Sequence, residues 1–232
     1  MMKIGPEEKL FAVIIGDVSG SKQLNSHSRY QTQLFLKSAV VQINEEFNED
    51  IEAPFTITKG DEFQGLVTST EAALRIILAL EKLTYPVKLR FGIGIGQVYK
   101  MGGTLPIEMD GPAFHRANAA LNFGKKKKYD YYMTSPEEST DLLCNTVFKL
   151  MGAIKSRWNE RHFRLFWRYK ELGTYREVGD HEGITAQAVC DALKNSRALV
   201  IKSAEESLIK HFRKFPLCIH AHSIEDDGAL LR

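Results

Sequence analysis

Two carboxylates in this sequence stand where a protein could hold a metal ion against a phosphate. The apolar run Phe11-Ala-Val-Ile-Ile-Gly ends at Asp17, and a second acid, Asp61, follows 44 positions later. Mg²⁺ prefers oxygen ligands and needs only one or two protein carboxylates beside a phosphate. The two acids therefore predict a nucleotide site. The alternative is that Asp17 caps a helix and Asp61 closes a hairpin.

The pattern around these acids predicts strands and helices in the order β-α-β-β-α-β-α-β. Residues 11–15 form a continuous apolar run, typical of a buried strand, and residues 55–67 alternate around a polar turn, typical of a hairpin. Residues 70–80 predict a capped helix that stops before Tyr85-Pro86. This order predicts an α/β sandwich with an antiparallel hairpin at its centre, and Asp17 and Asp61 meeting at one edge.

Two further patterns lie between residues 87 and 128. Gly92, Gly94 and Gly96 fall inside a predicted strand and do not open a helix, which excludes a dinucleotide-binding loop. They predict a strand face that a neighbour or a ligand approaches closely. After a helix expected at 113–121, the four lysines at 125–128 predict either a phosphate or nucleic-acid contact or a solvated turn before the next strand.

This N-terminal segment resembles the palm-type domain shared by class III nucleotidyl cyclases and GGDEF domains. The hairpin Lys59-Gly60-Asp61-Glu62-Phe63 matches their metal-binding signature, and Asp17, Lys22 and Asn25 repeat the GGDEF spacing of acid, lysine and asparagine. The resemblance implies that Asp17 and Asp61 are Mg²⁺ ligands, that Lys22, Asn25, Lys59 and Gly60 contact the nucleotide, and that Asp17, Asp61 and Glu62 are candidate catalytic residues.

The sequence also departs from the palm-type pattern. Lys59 replaces the first glycine of the hairpin, and the helix after Gly111 does not align an asparagine and an arginine with the transition-state pair of class III cyclases. Transfer of a phosphoryl group needs cations and donors aimed at it. A site that only binds, one that catalyses weakly and one that does neither all stay open.

The residues after 150 predict a separate all-α domain. Residues 155–214 carry 13 Lys/Arg against 8 Asp/Glu, a net charge of +5, and a turn at Gly183 separates two short predicted helices. The layout resembles the helix-turn-helix of sigma-factor region four, with Val178, Ile184, Val189 and Leu193 as core positions. The resemblance implies that Thr185, Gln187, Lys194, Asn195 and Arg197 contact DNA. Asp191 is unfavourable on such a face, and the alternative is a module for dimerisation or protein contact.

The whole chain resembles the SatD family. The resemblance rests on Ile-Gly-Asp17-Val-x-Gly-Ser21, Gly60-Asp61-Glu62-Phe63-Gln64, Asp110-Gly-Pro-Ala-Phe114 and the terminal helix-turn-helix. We expect a palm or ferredoxin-like domain at 1–150, a helix-turn-helix domain at 151–214 and a loose tail at 215–232. The leading hypothesis is a transcriptional regulator that binds DNA and senses a nucleotide. The alternative is a cyclase-like enzyme that uses Asp17 and Asp61 for two-metal catalysis.

Composition narrows the class of protein. The chain has 232 residues, 44% hydrophobic and 26% charged, which is typical of a soluble globular protein. It has no apolar run of about 20 residues, the length that spans a bilayer, and no secretory signal pattern. Three dispersed cysteines predict free thiols in a reducing compartment. We expect a cytoplasmic protein, with a homodimer as an option because residues 198–214 predict a helix whose apolar stripe packs within the domain or pairs two subunits.

Overall fold

The computed structural model describes residues 10–23, 25–100 and 103–214. The predicted tail at 215–232 therefore lies outside the described residues. The strands are β1 (Phe11–Val18), β2 (Ile51–Lys59), β3 (Glu62–Val67), β4 (Leu89–Gly96), β5 (Tyr99–Lys100), β6 (Met109–Asp110) and β7 (Tyr131–Thr134). The α-helices are α1 (Ser26–Glu46), α2 (Thr70–Thr84), α3 (Pro112–Lys127), α4 (Glu138–Lys155), α5 (Glu160–Leu172), α6 (Tyr175–Glu182), α7 (Ala186–Asn195) and α8 (Ala198–Lys214).

Five strands form one sheet in the order β2-β3-β1-β4-β7. The pairs β2·β3, β3·β1 and β1·β4 are antiparallel, and β4·β7 is parallel. The α/β class is confirmed, and so is the predicted order of the elements that form the five-stranded sheet; the short antiparallel pair β5-β6 between β4 and α3 was not predicted. The hairpin β2-β3 lies at one side of the sheet and not at its centre, because β1 takes the central position by pairing with both β3 and β4.

Helix α3 covers one face of the sheet and lies directly on β4. Val13 and Ile15 of β1 pack there against Ala117 and Leu121 of α3. Gly94 makes this contact possible, because a Cβ at that position would lie 2.0 Å from the carbonyl oxygen of Ala113. The neighbour that approaches the glycine face of the strand is therefore a helix of the same chain.

The opposite face carries the larger core. Phe55, Phe63 and Phe91 are almost fully buried there. They belong to one cluster that includes residues of α1, α2 and α4 and continues into the C-terminal helices. Ser69 caps α2 by accepting a hydrogen bond from the Ala72 amide at 3.1 Å, and α2 ends before the cis peptide Tyr85-Pro86.

Helices α5 to α8 pack on the same core. The predicted core positions Val178, Val189 and Leu193 are fully buried, and Ile184 is partly buried beside them. Gly183 ends α6 with φ 68°, in the left-handed region that glycine adopts without strain. Helix α8 packs against α2, α4, α5 and α7 and buries Ile201, Leu208 and Phe212 within the chain, whereas Val200 is exposed. The predicted boundary at 150 falls inside α4, which runs to Lys155. No helix of the described residues is both long and apolar enough to cross a bilayer.

Candidate functional site

A row of charged side chains crosses one edge of the sheet. Asp17 of β1 stands opposite Glu62 of β3 on one side and opposite Arg90 of β4 on the other, and Lys59 of β2 stands opposite Glu62. Lys125, near the end of α3, bridges two of these carboxylates. Its Nζ lies 3.2 Å from Oδ2 of Asp17 and 3.5 Å from Oε2 of Glu62. Arg90 Nη1 lies 3.5 Å from Oδ1 of Asp17.

Lys125 and Arg90 are the residues of this edge that sequence reasoning missed as site residues. The lysine run at 125–128 predicted either a phosphate or nucleic-acid contact or a solvated turn, but α3 continues through Lys127 and only Lys128 leaves the helix, in the left-handed conformation. Cations interact favourably with the carbonyl end of a helix, which explains why the lysines extend α3. The signal in the sequence was the charge of the run itself. Its partner could not be read locally, because Lys125 and Asp17 are far apart in the chain.

The environment of the Asp17 carboxyl group disfavours its negative charge. Its side chain is only 14% exposed. Burial raises its pKa above the ordinary value, Lys125 and Arg90 act in the opposite direction, and the negative charge of Asp61 raises it again. The two predicted metal ligands are therefore close enough to interact, and the two cations do not fully offset the burial of Asp17.

Two polar atoms of this edge are buried without a hydrogen-bond partner among the described residues. They are the carboxylate oxygen Oδ2 of Asp61 and the guanidinium nitrogen Nε of Arg90. A buried polar atom left unpaired costs about 1–3 kcal/mol. One explanation for such atoms is that a bound ligand supplies the missing partner. The acceptor would take a cation or an N–H group, and the donor would take an anionic oxygen.

The donor set fits a divalent cation held by two carboxylates. Asp61 offers the unpaired buried oxygen, and added positive charge beside Asp17 would relieve the repulsion from Asp61. The described residues contain no cluster of three or more His, Cys, Asp and Glu side chains able to hold a metal. Water and phosphate oxygens would therefore complete the shell, as Mg²⁺ ordinarily requires.

The predicted nucleotide contacts have mixed placements. Gly60 lies in the β2-β3 turn with φ 65°, and Gln33 donates a hydrogen bond to its carbonyl oxygen at 3.3 Å. Asn25 caps α1 by accepting a hydrogen bond from the Ser28 amide at 2.8 Å. Its side-chain oxygen is thus already used. Lys22 belongs to the short 3-10 turn Ser21–Gln23, and its side chain lies outside the described part of the chain.

The predicted DNA contacts lie on α7 and in the turns that precede and follow it. Thr185 caps α7 by accepting a hydrogen bond from the Ala188 amide at 3.1 Å. The exposed residues of this region are Thr185, Gln187, Asp191, Lys194, Asn195 and Arg197. Gln187 donates a hydrogen bond to Asp191 at 2.9 Å. The carboxylate of Asp191, which is unfavourable in a DNA contact, is therefore paired with a residue of the same helix.

Several solved structures are similar to part of this chain. A bacterial light-regulated adenylyl cyclase is 17% identical over 54% of this chain and 75% of its own, with a TM-score of 0.41. The dimeric guanylyl cyclase domain of the RhoGC fusion protein from the aquatic fungus Blastocladiella emersonii is 14% identical over 51% and 76%, with a TM-score of 0.40. The catalytic core of a rhodopsin-guanylyl cyclase in complex with ATPalphaS is 19% identical over 50% and 73%, with a TM-score of 0.37.

No protein with a curated description matches this sequence. The family model of SatD matches residues 11–210, from the first residue of β1 into the last helix. That span includes the charged sheet edge, the β2-β3 turn and the α6-α7 pair, and on this match the chain belongs to the SatD family.

Proposed function

We propose that this protein is a nucleotide-responsive regulator, in which a palm-type domain binds a nucleoside triphosphate with Mg²⁺ at the sheet edge and α7 contacts DNA. The observation that carries the nucleotide site is the buried oxygen of Asp61 without a partner, together with the unpaired donor of Arg90; both residues interact with Asp17. A metal ion bound to a triphosphate supplies what each atom lacks. The proposed division is a palm domain that ends with α4 and a helix-turn-helix domain from Ser156 to Lys214.

The residues of the edge have complementary roles in this proposal. Asp17 and Asp61 would hold the cation, which neutralises and polarises the phosphate oxygens when bound. Arg90 and Lys125 would face the phosphates as donors. Lys125 is half-buried and pairs with two carboxylates, Asp17 and Glu62. It therefore keeps the edge close to electrical balance and would donate to a phosphate when the cation binds Asp17.

Calorimetric titration with nucleoside triphosphates, with and without Mg²⁺, tests the nucleotide site. We expect binding that requires Mg²⁺ and is lost in Asp61→Asn, because that variant removes the charge of the unpaired oxygen. Glu49→Gln, which changes an exposed acid after α1, is the matched control and should bind normally. Equal affinity of wild type and Asp61→Asn would refute the site. Mg²⁺-dependent release of pyrophosphate in the same samples would identify the cyclase-like enzyme and not a binding-only sensor.

The DNA contact is supported by the exposed polar face of α7 and by the charge of the C-terminal region. Lys194 lies in the last turn of α7 and Arg197 just after that helix. Both are exposed and form no ion pair with a described residue. Arg197 has φ 57°, so Asn is the better replacement because it tolerates this conformation. In a gel-shift or anisotropy titration, Lys194→Gln and Arg197→Asn should each weaken DNA binding and reduce its salt dependence. Lys37→Gln on α1 is the control. Unchanged binding in both α7 variants would refute this assignment.

A further inference from the structure

A cavity lies on the face of the sheet opposite to Asp17. Its volume is 410 Å³, within the range of small-molecule sites. It opens between the C-terminal half of α4, the beginning of β4 and the beginning of α5. Leu89, Phe91 and Tyr131 form its floor, and these residues belong to the core opposite α3. The proposed nucleotide site does not use any of these three residues.

The walls of this cavity are mainly aromatic. Phe91 and Tyr131 stack with an interplanar angle of 3°, and Tyr85 and Phe163 stack at 14° with centroids 3.8 Å apart. The aromatic lining residues are Tyr85, Phe91, Tyr129, Tyr131, Phe148, Trp158 and Phe163. Flat rings gain offset-stacked and edge-to-face contacts with such walls. The occupant is therefore expected to contain a planar ring.

One acceptor in the cavity has no partner of its own. The side chain of Asp130 is half-buried and makes no hydrogen bond or ion pair with the described residues. Burial raises its pKa, and the charge of Glu81 adds to that effect. Gly152 of α4 leaves room beside this carboxylate, because a Cβ there would lie 3.4 Å from Oδ2 of Asp130. Lys88, Arg90 and Lys155 act in the opposite direction on this pKa, but none of them forms an ion pair with Asp130. The Nζ of Lys155 instead contacts Glu81 at 2.7 Å and Glu205 at 3.1 Å.

The rim of the cavity is cationic. Lys88, Lys128 and Lys149 line it and are exposed. None of the three forms an ion pair with a described residue, although Lys149 lies over the ring of Tyr129 at 5.3 Å. Lysine is a mobile point charge suited to phosphate or carboxylate groups. An occupant with its ring inside and an anionic group at the rim would satisfy this charge.

We propose that this cavity is an effector site for a small planar heteroaromatic anion, whose ring N–H donates to Asp130, whose ring stacks on the aromatic walls and whose anionic group meets the three lysines. The site adjoins the helices of the proposed DNA-binding domain. Lys155 and Glu81 line the cavity, and Glu205 of α8 connects them to Lys170 of α5 at 2.6 Å. An occupant would thus contact the buried ion pairs that join α2 and α4 to α5 and α8.

The test uses GMP and indole-3-carboxylate as probes, each with a ring N–H and an anionic group, at about 1 mM in buffer with EDTA, with Trp158 fluorescence and thermal stability as readouts. At least one probe should bind. Asp130→Asn should weaken that binding about tenfold or more, because it removes a charged acceptor. Gly152→Ala should weaken it by taking the space beside Asp130. Lys149→Gln, an exposed change, should weaken it and reduce its salt dependence.

Asp17→Asn separates this site from the proposed nucleotide site and should leave probe binding unchanged. Loss of probe binding in Asp17→Asn together with normal binding in Asp130→Asn would place the ligand at the other sheet edge and overturn the proposal. The proposal is also overturned if no probe binds, or if Asp130→Asn, Gly152→Ala and Lys149→Gln all bind as the wild type does.

Discussion

Replacement of Gly94 by alanine should break the contact between α3 and the sheet. The added Cβ would lie 2.0 Å from the carbonyl oxygen of Ala113 and 2.2 Å from the amide nitrogen of Ala117. Both are backbone atoms, so no side chain can rotate away, and α3 would have to move outward. Ala113, Ala117 and Leu121 would lose packing in that movement, because all three are fully buried against the sheet.

The size of the effect follows from the cost of inserting a methyl group into a packed core. Overpacking costs about 1–3 kcal/mol, and because rigid backbone is the obstacle we expect the upper end, about 3 kcal/mol. A urea slope of about 2 kcal/mol per molar then predicts a fall of about 1.5 M in the unfolding midpoint. Urea unfolding of wild type and Gly94→Ala, followed by circular dichroism and tryptophan fluorescence, measures this directly.

Gly152→Ala is the matched control for this experiment. It makes the same chemical change within a helix, but its Cβ would meet Asp130 at an ordinary contact distance of 3.4 Å. Alanine is favoured over glycine in a helix, so the control should be as stable as the wild type or more stable by about 0.5–1 kcal/mol. If Gly94→Ala unfolds within about 0.3 M urea of the wild type, the close approach of α3 to β4 is refuted.

Three further changes have clear expected outcomes. Asp17→Asn should stabilise the protein at pH 7, because the raised pKa of Asp17 means that its charge opposes folding. As the pH falls through the folded pKa, the wild type gains stability relative to the variant. The free energies of unfolding of the two proteins should therefore converge, and stop converging below about pH 3.8. Parallel curves from pH 7 to 3 would contradict this. Glu205→Ala should destabilise by about 3 kcal/mol in chemical unfolding, because Glu205 is 1% exposed and pairs with Lys155 and Lys170; a loss below about 1 kcal/mol would show that the ion pairs are replaceable. Thr185→Ala should cost about 1 kcal/mol by removing the cap of α7, whereas Thr185→Ser should be nearly neutral.

Much of this architecture follows from local patterns in the sequence. The apolar run at 11–15 predicted a buried strand, and the alternation around Gly60 and Asp61 predicted a hairpin. Residues 70–80 predicted a capped helix, and Ser69 supplies that cap by accepting the hydrogen bond of a free amide. Each of these features depends on residues within a few positions of one another, which is why the sequence suffices.

The charged edge and the aromatic cavity depend on contacts between segments that are distant in the sequence. Lys125 meets Asp17 only because Gly92 and Gly94 let α3 lie close on β4, which places the end of the helix above the end of β1. The residues next to a run of lysines do not indicate which distant acid the lysines will contact. The sequence by itself thus determined the elements, their order and the acids worth testing. The tertiary structure decided which cations meet those acids, which polar atoms stay unpaired and where aromatic rings enclose a cavity, because each of these results from packing between elements far apart in the chain.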